Sequence, residues 1–183
     1  MLAIRDLGSG PGTVKGLPAS RGSDPLPLTP SGTLRGELTI ERKGLRGTWA
    51  SELHGVPGDV VTWRLFVGDY SDRVGYNHVV ARAVLGPHMT LVPESVRLVN
   101  LRGDKQLADA PAFAGGFDIG NFAPGGGEDL LFDTRLDRDF AGCTVRIRTI
   151  GYVRADGLPE TPPAAGFGNR RVSADVVIGK ARC

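Results

Sequence analysis

From residue 33 onward, apolar and polar residues alternate along the chain with a period of two. In segment 33–41, Leu34, Leu38 and Ile40 fall on one side, and charged or hydroxyl-bearing residues fall on the other. Segment 59–67 repeats the pattern, with four apolar residues on one face. This alternation is typical of a strand with one buried face and one face in water. Both segments are therefore predicted strands.

The same period recurs along the rest of the chain. It is found in the segments 78–85, 89–101, 128–136, 143–153 and 171–180, and two shorter segments, 45–53 and 117–122, complete the set. Turn-forming Gly, Pro, Asp and Asn separate these segments, and no helical segment is available to join parallel strands. The pattern therefore predicts an all-β fold, an antiparallel sandwich or barrel of eight or nine strands.

The first 32 residues lack this periodicity. Residues that interrupt regular elements recur there at 8–12, 16–18, Pro25, Pro27 and Pro30. We predict an extended Pro/Gly-rich arm over residues 1–32 and a single β-sandwich domain over residues 33–183. A loose terminus without a role is the alternative for the arm.

Composition narrows the classes of partner and of source. The net charge of +2 comes from mixed acidic and basic residues without a block of like charge, so we expect no nucleic-acid partner. Among the 22 basic residues, the lysines are only Lys15, Lys43, Lys105 and Lys180. This bias is expected of GC-rich coding sequence, for example that of an actinobacterium or its phage.

Neither a signal peptide nor membrane insertion is indicated by the sequence. No apolar run approaches the roughly 18–20 residues that cross a bilayer. The opening segment 1–7 lacks a basic start followed by an apolar stretch. We therefore expect the chain to reach an external surface by another route, such as the release of virus particles by lysis.

Several segments carry a resemblance to a known family. They are Pro57-Gly-Asp-Val-Val-Thr-Trp-Arg-Leu-Phe-Val, the strand 77–85, His88-Met-Thr-Leu-Val-Pro-Glu-Ser-Val-Arg-Leu-Val, Phe117-Asp-Ile-Gly-Asn-Phe-Ala-Pro-Gly-Gly, and the closing strands 143–153 and 170–178. In this order and spacing, residues 57–180 resemble the conserved-repeat domain of bacterial and archaeal surface proteins. The resemblance implies an immunoglobulin-like β-sandwich used in adhesion, stalks or surface layers, and it transfers no catalytic residues.

The chain also departs from that family. Residues 1–56 lie outside the resemblance, the loop 69–76 is more polar than usual, and tandem repetition and a cell-wall anchor are missing. These departures weaken the interpretation as a cell-wall protein.

The sequence offers no recognisable catalytic or metal site. His54, His78 and His88 lie in or beside predicted turns and lack metal-ligand spacing. Ser9 lies in a Gly-Ser-Gly stretch of the arm rather than at a strand-to-helix elbow. We therefore expect a non-enzymatic protein with no catalytic residues, no metal and no cofactor. An enzyme is the alternative, and a pocket lined by two or more converging titratable groups would be its sign.

Other polar and aromatic residues have simple structural interpretations. We expect five loop carboxylates to accept hydrogen bonds from backbone amides, and a calcium site is the alternative. They are Asp69, Asp72, Glu128, Asp129 and Asp133. We interpret six aromatic residues as parts of the core or of the sheet surface, and a carbohydrate-binding stripe is the alternative. They are Trp49, Trp63, Phe66, Phe132, Tyr152 and Phe167. Gly125-Gly-Gly127 is a predicted hairpin turn, and no motif supports an isopeptide bond between Lys43 and Asn169.

The two cysteines, Cys143 and Cys183, are predicted to form a disulfide bond. If strands 143–153 and 171–181 pair as antiparallel neighbours, equal counting places Cys143 opposite Ala181, two residues from Cys183. Two independent cysteines are the alternative, which a reducing cytosol would favour.

These observations favour a structural role at a surface. We expect a component of a surface assembly, specifically a virion (phage capsid or tail) decoration or cement protein whose arm lies across neighbouring subunits. Its expected partners are other protein subunits of that assembly, including further copies of itself as a homo-oligomer. Its expected location is the virion or another external surface. A secreted bacterial cell-surface adhesion or stalk module is the alternative.

Overall fold

The structure is a computed structural model, and it describes residues 33–45, 47–108, 113, 115–158 and 171–180. The predicted arm, residues 1–32, lies outside this description. Eleven strands make up the described elements, and no helix is among them. The strands are β1 (Leu34–Arg42), β2 (Glu52–Gly55), β3 (Val60–Asp69), β4 (Tyr76–Val84), β5 (Met89–Leu91), β6 (Arg97–Asn100), β7 (Gly103–Gln106), β8 (Phe117–Phe122), β9 (Gly127–Leu136), β10 (Thr144–Arg154) and β11 (Arg171–Gly179).

The strands form two sheets. Sheet A has the order β1-β3-β9-β6-β7, and β5 also pairs with β9. Sheet B has the order β2-β11-β10-β4-β8. Paired strands run antiparallel, except that β2 runs parallel to β11. The prediction of an all-β, antiparallel immunoglobulin-like β-sandwich is therefore confirmed.

The core lies between the two inner faces and uses the predicted alternation. Val61, Trp63 and Leu65 of β3 are fully buried, as is Phe132 of β9. The Trp63 and Phe132 rings stack with centroids 6.2 Å apart. Because fully burying a large apolar side chain contributes about 1.5–3 kcal/mol, this face of β3 is a main source of stability.

Gly151 marks a close approach of the two sheets. A Cβ atom at this position of β10 would lie 2.7 Å from Cδ1 of Leu65, which belongs to sheet A. It would also lie 3.1 Å from Cγ2 of Val172 on the neighbouring strand. The absent side chain therefore lets Leu65 fill the space beside sheet B.

Two predicted strands differ from the observed ones, and one observed strand was not predicted. Segment 45–53 forms only an isolated pairing of Ala50 with Ile40, followed by the short β2. Segment 89–101 is divided into β5 and β6, because Pro93 lacks an N–H and the Ser95 hydroxyl donates to the Val92 carbonyl at 2.6 Å, which forms a turn. The strand β7 was not predicted, since all of its residues are exposed and leave no alternation to detect.

The outer face of β1 also differs from the prediction. Thr39 and Glu41 are predicted to face water, but each is only 8% exposed. The connection from β1 to β2 folds over this end of the strand, where the Gly47 N–H donates to Glu41 Oε2 at 3.2 Å. Part of the outer face of sheet A is therefore covered and polar.

Candidate functional site

The three histidines lie apart, and each is beside one carboxylate. His54 Nε2 is 3.4 Å from Glu52 Oε1, and His88 Nδ1 is 3.8 Å from Asp137 Oδ2. His78 Nδ1 is closer to its partner, at 3.0 Å from Oδ2 of Asp118. Within the described part of the chain, no three His, Cys, Asp or Glu side chains converge as metal ligands.

A bulge in β4 sets the position of His78. The register between β4 and β8 shifts between Tyr76 and Val79. His78 itself has a φ of 46°, and its backbone N–H donates to the side-chain oxygen of Asn121 at 2.9 Å. A bulge bends the strand and redirects a side chain, and strained residues of this kind concentrate at functional sites. This bulge brings the imidazole beside Asp118.

The His78 and Asp118 side chains shift each other's proton affinity. The hydrogen bond to Asp118, and then the charge of Asp156, raise the pKa of His78 above its ordinary value of 6.5. The same hydrogen bond lowers the pKa of Asp118. The hydrogen bond between them therefore favours the charged forms of both side chains, the imidazolium and the carboxylate.

A concavity of about 610 Å³ surrounds His78. Asp118, Arg154 and Asp156 also line it. A pocket lined by converging titratable groups is the feature expected if the protein is an enzyme. However, the His78 and Asp118 side chains are 66% and 52% exposed, and no Ser, Thr, Cys, Tyr or Lys is among the described residues of the lining. The concavity therefore contains an acid–base pair, His78 and Asp118, together with Arg154 and Asp156.

A second polar site lies on the outer face of sheet A. Glu41, Thr62 and Asp133 stand side by side across β1, β3 and β9, and each is at most 9% exposed. Asp133 Oδ2 lies 2.6 Å from Lys43 Nζ, and its Oδ1 accepts the Thr62 hydroxyl at 2.7 Å. Buried carboxylates require such partners. This row is the floor of what we name the Asp133 groove.

The walls of the Asp133 groove come from two loops. Trp49 stands on the β1 side, and Pro93, Glu94 and Ser95 stand on the β6 side. The groove has a volume of about 510 Å³. The backbone N–H of Asp133 donates to Ser95 Oγ at 3.1 Å, which ties the second loop to β9. The groove is therefore held in shape by hydrogen bonds on both sides.

The residues considered for a calcium site and for an isopeptide bond do not lie together but make separate contacts. Asp129 pairs with Arg64 at 2.7 Å, and Glu128 accepts the Asn100 amide at 2.8 Å. Asp69 and Asp72 lie at the other end of the sheet, beside the turn 125–127. The nominal isopeptide residue Lys43 pairs with Asp133, while Asn169 lies outside the described residues. A turn is present at 125–127, with Gly126 N donating to the Ala123 carbonyl at 2.8 Å, but the predicted hairpin was wrong, because the turn joins β8 of sheet B to β9 of sheet A.

The predicted aromatic residues divide between core and surface. Trp63 and Phe132 are buried in the core, whereas Trp49, Phe66 and Tyr152 are half-buried on the sheet faces. Phe167 lies outside the described residues. Among the described aromatic residues outside that prediction, Tyr70 is the exposed one, with 59% of its surface accessible directly after β3. Tyr70 lies within the polar loop 69–76, where no alternation of apolar and polar residues predicts which side chains are exposed.

For the predicted disulfide, the structure describes only the pairing between the strands β10 and β11. Thr144 pairs with Gly179, so Lys180 rather than Ala181 stands opposite Cys143. The Lys180 N–H donates to the Cys143 carbonyl at 2.9 Å. Equal counting was therefore wrong by one residue, because Tyr152 rather than Val153 stands opposite Arg171. Cys183 lies outside the described residues, so the disulfide stays a prediction.

The outer side of β1 offers backbone hydrogen-bonding groups. Ile40 and Ala50 exchange two backbone hydrogen bonds, 2.8 and 3.0 Å long, on the side of β1 away from β3. Because backbone groups alternate in direction along a strand, Leu34, Gly36 and Leu38 point their N–H and C=O groups to the same side. In the described part of the chain, these three residues have no backbone partner there.

The other sheet edges are short or irregular. β2 and β7 have four residues each, and β7 carries the charged Lys105. β8 pairs with β4 in a broken register and contains Gly120 with a φ of 97°. Short length, charge and bulges are the features that keep edges from pairing with other chains. Among the described strands, β1 is the long, regular edge without these features, although its outward-pointing residues Leu34, Gly36 and Leu38 are themselves buried.

No helix in the described part of the chain is long and apolar enough to span a membrane.

Comparisons with known proteins give distant structural similarities. No protein-family model and no curated protein matches the chain, so the resemblance to the conserved-repeat domain stays a prediction. The chain is similar to a family 123 glycoside hydrolase from Clostridium perfringens, with a TM-score of 0.39 and 10% identity, over 81% of this chain and 27% of the hydrolase. It is similar to the collagen-binding domain from a Staphylococcus aureus adhesin, with a TM-score of 0.38 and 9% identity, over 81% of this chain and 99% of that domain. It is also similar to PapD-like domain 7 of human CEP192, with a TM-score of 0.28 and 14% identity, over 90% of this chain and 95% of that domain. These similarities carry no argument about function.

Proposed function

We propose that this protein is a non-enzymatic structural subunit of a surface assembly, and that its specific role is that of a virion decoration or cement protein. The observation that carries the structural role is the outer side of β1. This strand is nine residues long and regular, and three of its residues direct unpaired backbone groups outward within the described structure.

An extended segment from another subunit could pair with this edge as an added strand. Such pairing forms main-chain hydrogen bonds, each contributing about 0.5–1.5 kcal/mol net. A single contact of this size is weak. In a symmetric assembly the same contact recurs at every subunit, so many weak contacts together hold the particle.

The arm at residues 1–32 is the proposed source of the added strand. It directly precedes β1 and lacks the apolar periodicity that a core element needs. Its contribution would therefore come from backbone pairing rather than from buried side chains. The proposal implies a homo-oligomer in which the arm of one copy reaches β1 of the next.

Comparing the full chain with a variant that lacks residues 1–32 tests the structural role. We expect the truncated protein to keep the circular dichroism spectrum and melting temperature of the sandwich but to lose assembly in size-exclusion chromatography with light scattering. Unfolding of the truncated protein would place the arm in the core. Assembly without the arm would contradict the proposal.

Fractionation of the source tests the virion role. We expect an antibody against the chain to label purified virus particles. Labelling of the bacterial cell wall instead would favour the secreted adhesion or stalk module.

A further inference from the structure

Two aromatic rings stand close together on the outer face of sheet A. Phe66 lies over the paired glycines Gly68 and Gly127, where a Cβ atom would come within 2.8 Å and 3.2 Å of the ring. A Cβ atom at Gly68 would also lie 3.4 Å from Cε2 of Tyr70. The two glycines thus leave the room that the rings occupy.

Arginine side chains hold these rings and a third one in place. The Arg64 guanidinium lies 5.5 Å from the Phe66 ring centroid and 5.8 Å from that of Trp49. Arg35 lies 5.2 Å from the Tyr70 ring. Cations at this distance are attracted to the faces of aromatic rings. We name the row Trp49, Phe66 and Tyr70 the aromatic strip, and from Arg64 to Tyr70 it runs about 20 Å along β3.

The aromatic strip has a concavity at each end. Trp49 forms a wall of the Asp133 groove. At the other end, a concavity of about 530 Å³ is lined by Phe66, Tyr70 and Leu101. Leu101 is fully exposed at the tip of the β6–β7 hairpin. The exposed leucine and the exposed tyrosine line the same concavity and form an exposed apolar patch, which is typical of a binding site.

A buried carboxylate in the second concavity lacks a hydrogen-bond donor. Asp69 lines this concavity and is only 4% exposed. Its Oδ1 accepts the backbone N–H of Ser71 at 2.9 Å. Its Oδ2 is buried, and none of the described residues donates a hydrogen bond to it. Because buried polar atoms are almost always paired, this oxygen points to a ligand that donates a hydrogen bond.

The charge of the two concavities restricts the class of ligand. Four cations face this surface, with Lys43 and Arg97 in the concavities and Arg35 and Arg64 against the aromatic strip. The carboxylates that line the concavities are five, Glu41, Glu94, Asp133, Asp69 and Asp72. An excess of carboxylates repels nucleic acids and anionic polymers. A neutral sugar avoids this repulsion, since its hydroxyls donate to carboxylates and the C–H face of its ring packs on an aromatic ring.

We propose that the aromatic strip and the concavities at its two ends bind a linear, neutral polysaccharide. A sugar ring packs on Tyr70 and beside Leu101, and one of its hydroxyls donates to Asp69 Oδ2. Further sugar units follow the strip toward Trp49 and the Asp133 groove. This activity goes beyond the proposed structural role and does not depend on the arm or on the β1 edge.

Calorimetric titration of the full chain with cellopentaose, maltopentaose, mannopentaose and chitopentaose tests the proposal. We expect at least one of them to bind, and Tyr70→Ala and Asp69→Asn each to weaken that affinity about tenfold or more. The matched control is Tyr152→Ala, which removes a tyrosine that also lies against an arginine, Arg82 at 4.6 Å, but on sheet B. This control should bind as the unchanged chain does. Because the sugars are uncharged, raising NaCl from about 0.05 M to about 0.5 M should change the affinity little.

Several results would overturn the proposal. They are the absence of binding to all four oligosaccharides, unchanged binding by Tyr70→Ala and Asp69→Asn, and equal loss of binding in Tyr152→Ala. Tighter binding of pentalysine that the same two variants abolish would assign the surface to a cationic peptide instead. Melting curves check the folding of each variant. If Tyr70→Ala does not fold, Leu101→Ser replaces it, because that side chain is fully exposed, and a loss of sugar affinity is again expected.

Discussion

The Trp63 indole N–H donates a hydrogen bond to the Thr134 hydroxyl, 2.8 Å away in the core of the sandwich. Both residues are fully buried, on the paired strands β3 and β9. Thr149 of β10 is equally buried, yet its hydroxyl oxygen has no hydrogen-bond partner in the part of the chain that the structure describes. Two buried threonines of the same shape therefore differ in what their hydroxyls contribute.

Valine substitutions at these threonines should have different effects on stability. Thr134→Val leaves the Trp63 N–H buried without an acceptor, so we expect the free energy of unfolding to fall by about 1–3 kcal/mol. Thr149→Val removes a hydroxyl that is already unpaired, so it should be neutral or stabilising. Urea unfolding followed by tryptophan fluorescence measures both. Equal losses in the two variants would show that the Trp63 hydrogen bond has no net effect.

Asp175 should make the sandwich sensitive to acid. Arg148 contacts its two oxygens at 2.8 and 3.0 Å, and Arg146 contacts one at 3.0 Å. The hydrogen bond from Arg148, followed by that from Arg146, lowers the pKa of Asp175 below its ordinary value of 3.8. The unfolded chain therefore binds this proton more tightly than the folded one. The stabilisation is present above the ordinary pKa and is lost as pH falls through the lowered one.

Substitution of Asp175 checks this assignment. We expect Asp175→Asn to lower the free energy of unfolding at pH 7 by about 1.5–3 kcal/mol and to flatten its decline in acid, because hydrogen bonds to charged groups are worth that much. Asp139→Asn, at an exposed aspartate, is the matched control. Chemical unfolding between about pH 2 and pH 7 measures both. An acid decline as steep in Asp175→Asn as in the unchanged chain would assign the sensitivity to other carboxylates.

The His78 site should titrate at a pH above the ordinary histidine range. Because the hydrogen bond to Asp118 is the first cause of the raised pKa of His78, Asp118→Asn should lower that pKa more than Asp156→Asn does. The stabilisation from His78 is present below its ordinary pKa of 6.5 and is lost as pH rises through the raised value. NMR titration of the His78 ring proton measures the shift. An unchanged midpoint in Asp118→Asn would show that the pair does not interact in solution.

The predicted Cys143–Cys183 disulfide can be measured directly. The register places Lys180 opposite Cys143, so Cys183 follows three residues later and the bond requires the chain to turn back toward Cys143. Closing a loop of roughly 40 residues would stabilise the fold by about 3–4 kcal/mol in the chain-entropy model. Mass spectrometry of the digested, non-reduced protein should show the linked peptides. Free thiols at both positions in oxidised material would rule out the bond.

The fold was largely predictable from the sequence because its strands keep one face buried. Trp63 and its neighbours in β3 alternate, and they fall on the core face as predicted. The strand β7 was not predicted, because apolar and polar residues alternate only where a strand has a buried face, and every residue of β7 is exposed. The division of β5 from β6 depends on the turn at Pro93, whose effect on register is decided by contacts with β9.

The candidate sites were less predictable, since they depend on register between strands far apart in sequence. Glu41 and Asp133 are neighbours only because β1 and β9 both pair with β3. His78 meets Asp118 only through the bulge in β4, for which no local sequence signal was recognised. A single sequence shows which residues alternate, but it does not show which residues of different strands stand side by side.

Backbone amide exchange at β1 tests the central claim of assembly through this edge most directly. Leu34, Gly36 and Leu38 point their N–H groups outward, whereas Arg35 and Glu37 point theirs to β3. The comparison uses hydrogen–deuterium exchange of the assembled full chain and of the dissociated subunit, obtained by dilution. Both samples contain every residue, so folding is not altered.

The Leu34, Gly36 and Leu38 amides lie in buried residues without a described backbone partner, and we predict that they exchange faster in the dissociated subunit than in the assembly, because added-strand pairing protects them. The amides of Arg35 and Glu37 should be protected in both states, which provides the internal control. Equal exchange of Leu34, Gly36 and Leu38 in the assembled and dissociated protein would contradict assembly through the β1 edge.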